Sequence, residues 1–149
     1  MFYLMKTFDI SIGHRLSKHK GLCRSLHGHN ISIDVYLKSE SLNENDMVID
    51  FKDLKKIVGN ILFDYDHSML LNPEDKELST FLVANDYSLI QSYTDGIKFN
   101  HTLDPTMEVL ARHFYTEISL GLRDNIGVTL QKVFIWEGKD SMAGYQEDD

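Results

Sequence analysis

The sequence predicts a single α+β domain, an antiparallel sheet with helices packed on one face. Three observations predict it. Two N-terminal stretches alternate apolar and polar residues with period two, two later stretches carry apolar stripes at helical spacing, and an alternating strand returns near the C-terminus. At 149 residues, with 42% hydrophobic and 26% charged, the chain has the size and balance of one globular unit, so residues 1–149 are read as one domain.

Residues 2–14 are the first expected strand, because Phe8, Ile10, Ile12 and His14 share a face while Asp9, Ser11 and Gly13 take the other. Residues 27–37 repeat the pattern, with His27, His29, Ile31, Ile33, Val35 and Leu37 in phase. In both stretches the histidines fall on the apolar face. Antiparallel pairing of the two would set His14 beside His27 and His29 at one end of the sheet. Residues 15–26 then form the connecting loop, which carries Cys23.

Asp50 is placed to cap a helix from about Phe51 to Phe63, whose stripe is Leu54, Ile57, Val58, Ile61 and Leu62. It runs out into "DYDHSMLLN". In the stretch 75–103, "SLIQSY" reads as a strand, "TDG" as a turn and "IKF" as the start of another strand. "DPTMEVLARHF" opens a second helix, capped by Asp104 or Thr106 with Pro105 in its first turn, and striped by Met107, Leu110, Ala111, Phe114 and Ile118. "VTLQKVFIWE" is the last strand and "DSMAGYQEDD" an acidic tail. The expected order is strand, strand, helix, the 75–103 stretch, helix, strand.

A net charge of −8, from 15 Lys/Arg and 23 Asp/Glu, argues against nucleic acid as a partner. "MFYLMKTFDI" is too short and polar for a signal peptide, and no apolar run reaches membrane-spanning length. The single cysteine excludes an intrachain disulfide and fits a reducing compartment, so a cytoplasmic location is expected. The charge is uneven. No acid lies between Asp9 and Asp34, while Arg15, Lys18, Lys20 and Arg24 fall inside that window, where either an anionic ligand or an ordinary solvated loop would account for them.

Neutral imidazole is a good zinc ligand, and three histidines with an open fourth position make a catalytic zinc site. His27 and His29, two apart, can share a metal only on a strand, where both project from one face. One such histidine would be read as a hydrogen-bonded core residue. Three in phase on adjacent strand ends are costly to bury without a metal. Cys23 could close the site as a fourth ligand, giving a structural centre instead. His19, His101 and His113 show no such arrangement and read as surface or cap residues. Asp66 next to His67 can orient an imidazole, although such pairs are often inert. Glu137 is in phase with Val133 and Ile135, which sets a carboxylate on an apolar face and calls for a partner, either a neighbouring Arg or a ligand edge.

"GHRL", "CRSLHGHN", "VIDFKDLK", "YDHSMLLN", "DPTMEVLA" and "IWEGKDSMAGY" stand in that order along nearly the whole chain. In these motifs the sequence resembles the 6-pyruvoyl-tetrahydropterin synthase / 6-carboxy-tetrahydropterin synthase family. The resemblance implies the tunnelling fold, an antiparallel four-stranded sheet with two helices on one face, with subunits assembling into a barrel, commonly a hexamer of two trimers, and active sites between subunits. It implies zinc on His14, His27 and His29, Cys23 as general base, and Asp66 with His67 completing a proton relay from the adjacent subunit. Glu137 would anchor the pterin ring, and Thr106 and Glu108 of the PTxE element would line its pocket. The cationic loop, Arg15 and Arg24 included, would cradle a triphosphate. Family members that make the 6-pyruvoyl product typically have five residues between the cysteine and His-Gly-His, and queuosine-pathway members three. Here Arg24, Ser25 and Leu26 make three. The implied activity is zinc-dependent conversion of 7,8-dihydroneopterin triphosphate to 6-carboxytetrahydropterin, acetaldehyde and triphosphate. The alternatives are the pyruvoyl-forming lyase and a zinc-stabilised pterin-binding protein without turnover. The sequence departs from the family pattern in "SIGH", in a longer 75–103 region and in the terminal "EDD".

Overall fold

The computed structural model describes residues 1–85 and 103–148. In chain order the elements are β1 (Phe2–His14), β2 (His27–Ser39), α1 (Phe51–Phe63), β3 (Ser68–Leu70), α2 (Lys76–Ala84), α3 (Met107–Leu122), β4 (Thr129–Trp136) and β5 (Met142–Tyr145). They form a five-stranded sheet in the order β3-β1-β2-β4-β5, antiparallel except for the β1–β3 pair.

The long β1–β2 hairpin sets the geometry of everything else. Its register pairs Phe2 with Ser39 at one end and His14 with His27 at the other, with Ile10 opposite Ile31 and Ile12 opposite His29. The apolar residues of this face are buried beneath the helices. The opposite face is polar and cross-linked: Ser11 donates to Asn30, Ser32 to Asp9, and Thr7 and Trp136 both donate to Asp34. A slip of one residue would turn every side chain over and break these bonds.

Both expected helices form with the expected stripes. Asp50 caps α1 through Lys52 N–H, and Leu54, Val58 and Leu62 are buried. Thr106, of the two candidates, caps α3, whose buried face is Met107, Leu110, Ala111, Phe114, Tyr115, Ile118 and Leu122. α3 lies over β4 and β5 and against α1.

Five strands stand where four were expected, and two of them are short edge strands that the sequence did not mark. Ser68–Leu70 lies within the stretch read only as the run-out of α1, and the segment read as an acidic tail turns back as β5. A short edge strand is paired on one side only, so its alternation spans too few residues to stand out. A third helix, α2, opens the 75–103 stretch; Asp75 caps it, and Leu78 and Leu82 pack with Leu71 and Met69 in a small second core. "SLIQSY", "TDG", "IKF" and His101 lie outside the described residues. His113, read from sequence as a surface or cap residue, is half-buried, with its Nε2 2.6 Å from the Tyr65 hydroxyl. Burial pushes the Tyr65 pKa up to about 12, so that hydroxyl stays neutral. No helix among the described residues is long and apolar enough to cross a membrane.

Candidate active site

The hairpin register carries the site. His14 closes β1, and His27 and His29 open β2, all on the helix-facing side. Gly28 between them is required by the sheet itself, since a Cβ there would meet the Ile12 carbonyl oxygen at 2.8 Å. The ring centroids of the three histidines lie 4.6 to 5.2 Å apart, and one nitrogen from each falls within 4.8 Å of the other two.

Hydrogen bonding fixes which nitrogens are free. His14 Nδ1 lies 2.7 Å from the Pro105 carbonyl and His27 Nδ1 lies 2.7 Å from the Ser25 carbonyl. A carbonyl can only accept, so both rings carry their proton on Nδ1 and leave the Nε2 lone pair open. Those two Nε2 atoms face each other at 3.1 Å. Two lone pairs at that distance repel unless a cation sits beside both. His29 Nε2 is buried without a hydrogen-bond partner. Glu137 Oε1 approaches it to 2.9 Å, but outside hydrogen-bonding alignment, so the contact is electrostatic. His14 is 1% exposed. Its pKa is lowered, chiefly by burial and further by the two neighbouring imidazoles, against a raising contribution from the Pro105 hydrogen bond. The neutral form is the one that ligates metal. The donor set therefore fits a divalent cation of the zinc class. Among the described residues the cluster holds three imidazoles, and Cys23 is not part of it.

Cys23 stands nearby, at the centre of the single 3-10 turn Leu22–Arg24, half-buried and unpaired by any disulfide. It lines a pocket of about 340 Å³ together with His14, His27, Thr106, Glu108 and Glu137. The remaining wall includes Ser141, Met142 and Ala143 of the β4–β5 turn and β5, which sequence reasoning missed because that segment read as a tail. The in-phase position of Glu137 was the one signal that pointed to this wall.

The other expected residues lie apart from this pocket. Asp66 and His67 sit at the β1 edge, where Asp66 accepts from Ser11 N–H at 2.8 Å and His67 N–H donates to Ser11 O at 2.6 Å. His67 has φ +59°, a left-handed conformation that a non-glycine residue rarely holds without cause. Its ring is 80% exposed, with Nδ1 3.0 Å from Asp66 Oδ2. Within one chain this pair does not meet Cys23. Arg24 is exposed and Arg15 is not among the pocket walls. Arg15 instead forks onto Asp75 through two 2.5 Å bonds and reaches Glu77 at 3.2 Å. Its charge is already matched, and neither acid carried any signal of this in the sequence.

The family model described as 6-pyruvoyl tetrahydropterin synthase matches residues 3–148. A Haemophilus influenzae protein named 6-carboxy-5,6,7,8-tetrahydropterin synthase is 30% identical over 154 aligned positions, covering 99% of this chain and all of its own. An Aquifex aeolicus protein of the same name is also 30% identical, covering 97% and 98%. Among solved structures, an uncharacterized protein from Wolinella succinogenes superposes with a TM-score of 0.81 at 22% identity, covering 99% of this chain and 98% of its own. The Caenorhabditis elegans 6-pyruvoyl tetrahydropterin synthase does so with 0.72 at 21%, covering 99% and 96%. At those identities the structural likeness is one of fold. The end-to-end sequence matches go further: this chain belongs to the 6-pyruvoyl tetrahydropterin synthase family.

Proposed function

We propose that this protein is a zinc-dependent 6-carboxy-5,6,7,8-tetrahydropterin synthase acting on 7,8-dihydroneopterin triphosphate. The observation that carries the reading is the facing pair of Nε2 lone pairs on His14 and His27, which line one pocket with Cys23 and two carboxylates, and the neighbouring His29 nitrogen, buried without a hydrogen bond. The names of the curated relatives and the three-residue Cys23–His27 spacing support the choice of product.

His14, His27 and His29 would hold the zinc, with the Pro105 and Ser25 carbonyls fixing the tautomers of the first two. When bound, zinc supplies Lewis acidity toward the hydroxyl and carbonyl oxygens of the substrate side chain. Cys23, as thiolate, takes a proton from a side-chain carbon. Glu137 accepts from the amino-pyrimidine edge of the pterin, which orients the ring. Glu108 and Thr106 border the same pocket. Asp66 and His67, exposed at the sheet edge, would reach a second subunit's pocket as its proton relay, in a barrel of subunits that also covers the sheet edges. Arg24 and Lys20 are exposed in the 15–26 loop and would meet a triphosphate, while Arg15 holds the scaffold. A lone thiol without a disulfide fits action in the cytoplasm.

Purified protein incubated with dihydroneopterin triphosphate, with products identified by mass, tests the reading. A carboxylated tetrahydropterin with acetaldehyde and triphosphate supports it. Pterin binding without any product would make the protein a binding module and overturn it.

A further inference from the structure

Asp104 has no place in the chemistry above, yet it is 8% exposed and heavily bonded. Its Oδ1 accepts from Ser17 Oγ at 2.6 Å and Asn72 Nδ2 at 3.0 Å, and its Oδ2 from Lys18 N–H at 2.8 Å. Burial pushes its pKa up, but these hydrogen bonds outweigh burial and hold it below the usual carboxylate value. An ionised, acceptor-only group matches three donors without conflict.

The three donors matter for where two of them lie. Ser17 and Lys18 follow His14 closely, and Leu16, just before them, donates its N–H to the Cys23 carbonyl at 2.8 Å. Main-chain bonds within the loop, such as Arg24 N–H to Gly21 O and Ser25 N–H to Leu22 O, give it a shape. They do not place that shape on the rest of the fold. At the far end of the loop the Ser25 carbonyl is bound by His27 Nδ1; at the near end placement comes from Asp75, gripping Arg15, and Asp104, gripping residues 17 and 18, on either side of Leu16. The next residue after Asp104 is Pro105, whose carbonyl takes the His14 proton. One dipeptide thus holds both a histidine of the cluster and the loop that carries the thiol.

We propose that Asp104 is a positioning residue whose carboxylate fixes the 15–26 loop so that the Cys23 thiol stands in the pocket beside the histidine cluster. The proposal rests on the reading of Cys23 as the base. Asp104→Asn replaces one acceptor oxygen with an NH₂ group. Whichever way the amide turns, its NH₂ faces a donor that cannot reverse in place, Lys18 N–H on one side or the Asn72 amide on the other, and the charge that strengthened all three bonds is gone, so the grip on the loop weakens while the histidine strands stay paired.

Because Cys23 is the sole thiol, iodoacetamide alkylation of the zinc-loaded full chain at fixed pH reads this residue alone. Asp104→Asn should keep one zinc per chain, alkylate several-fold faster as the half-buried thiol opens to solvent, and lose kcat on the order of 10²-fold with KM little changed, as a misplacement of about 1 Å costs. Ser17→Ala, which removes a single bond and preserves the fold, should shift alkylation in the same direction by less. In a Cys23→Ala background, Asp104→Asn should slow turnover no further. Unchanged or slower alkylation in both variants would overturn the proposal, as would an undiminished effect of Asp104→Asn without the thiol. If the parent protein does not turn over the pterin, the functional reading falls, and the alkylation rates still decide the placement.

Discussion

The Nε2 atoms of His14 and His27 face each other at 3.1 Å, and both rings give their Nδ1 protons to main-chain carbonyls. A metal resolves that conflict. The protein should carry one zinc per chain. His27→Ala should lose it and Cys23→Ala keep it, by elemental analysis of the purified variants. Zinc added to stripped protein should raise Tm, by the equivalent of about 2.7 kcal/mol at a hundredfold excess over Kd. A Cys23→Ala protein without metal would mean that the thiol closes a structural centre.

The proposed roles separate binding from proton transfer. Cys23→Ala and His67→Asn should bind pterin nearly as well as the parent while turnover falls by roughly 10² to 10⁴, the usual contribution of a general base. Asparagine suits position 67 because it tolerates the left-handed backbone there. Glu137→Gln should weaken pterin binding instead. Unaltered pterin affinity by calorimetry would remove Glu137 from the pocket's recognition edge.

Product identity rests on the short connection between Cys23 and His27. Under the proposed mechanism, where the thiolate stands relative to the substrate side chain decides which carbon loses its proton. Acetaldehyde should therefore appear in step with triphosphate. Triphosphate without acetaldehyde, and a pyruvoyl-pterin mass, would show that the spacing does not set the outcome.

Acid should unfold the protein through two buried carboxylates. Asp75 is held below its ordinary pKa first by the Arg15 hydrogen bonds, and Asp104 by hydrogen bonds that outweigh its burial. A carboxylate whose folded pKa is depressed contributes stability that is complete above its unfolded value, near 3.8 here, and lost as pH falls below that value through the folded one. The fall in Tm on acidification should thus be steepest below about pH 4. Arg15 and Asp75 side chains are only 14% and 4% exposed. Asp75→Asn should cost up to roughly 3 kcal/mol at neutral pH, because it leaves a mostly buried guanidinium with only the exposed Glu77 carboxylate beside it, and should flatten the acid limb. A parallel Tm–pH curve for that variant would count against this account.

Periodicity made the scaffold of this site legible in the sequence. His14, His27 and His29 could be assigned to one face because β1 and β2 are long enough for alternation to be plain, and α1 and α3 carry complete stripes with caps. What stayed hidden was either short or tertiary. β3 has three residues and β5 four. The Arg15–Asp75 and Ser17–Asp104 contacts join residues 60 and 87 positions apart, and nothing local marks an acid as the partner of a distant donor. Arg15 looked like a free cation for the same reason. Asp66 and His67 were legible as a pair, but their distance from Cys23 within the chain could be seen only in three dimensions.

The contact between His14 and Pro105 spans 91 positions of chain. All three donor nitrogens come from a single hairpin that is complete by residue 39, whereas the carbonyl that orients one of them arrives only when α3 docks. During synthesis the N-terminal hairpin emerges first. Under the proposed zinc reading, metal uptake would gauge assembly: a nascent hairpin would offer the ligands in loose orientation, and the grip would tighten when the far half of the chain closes over it.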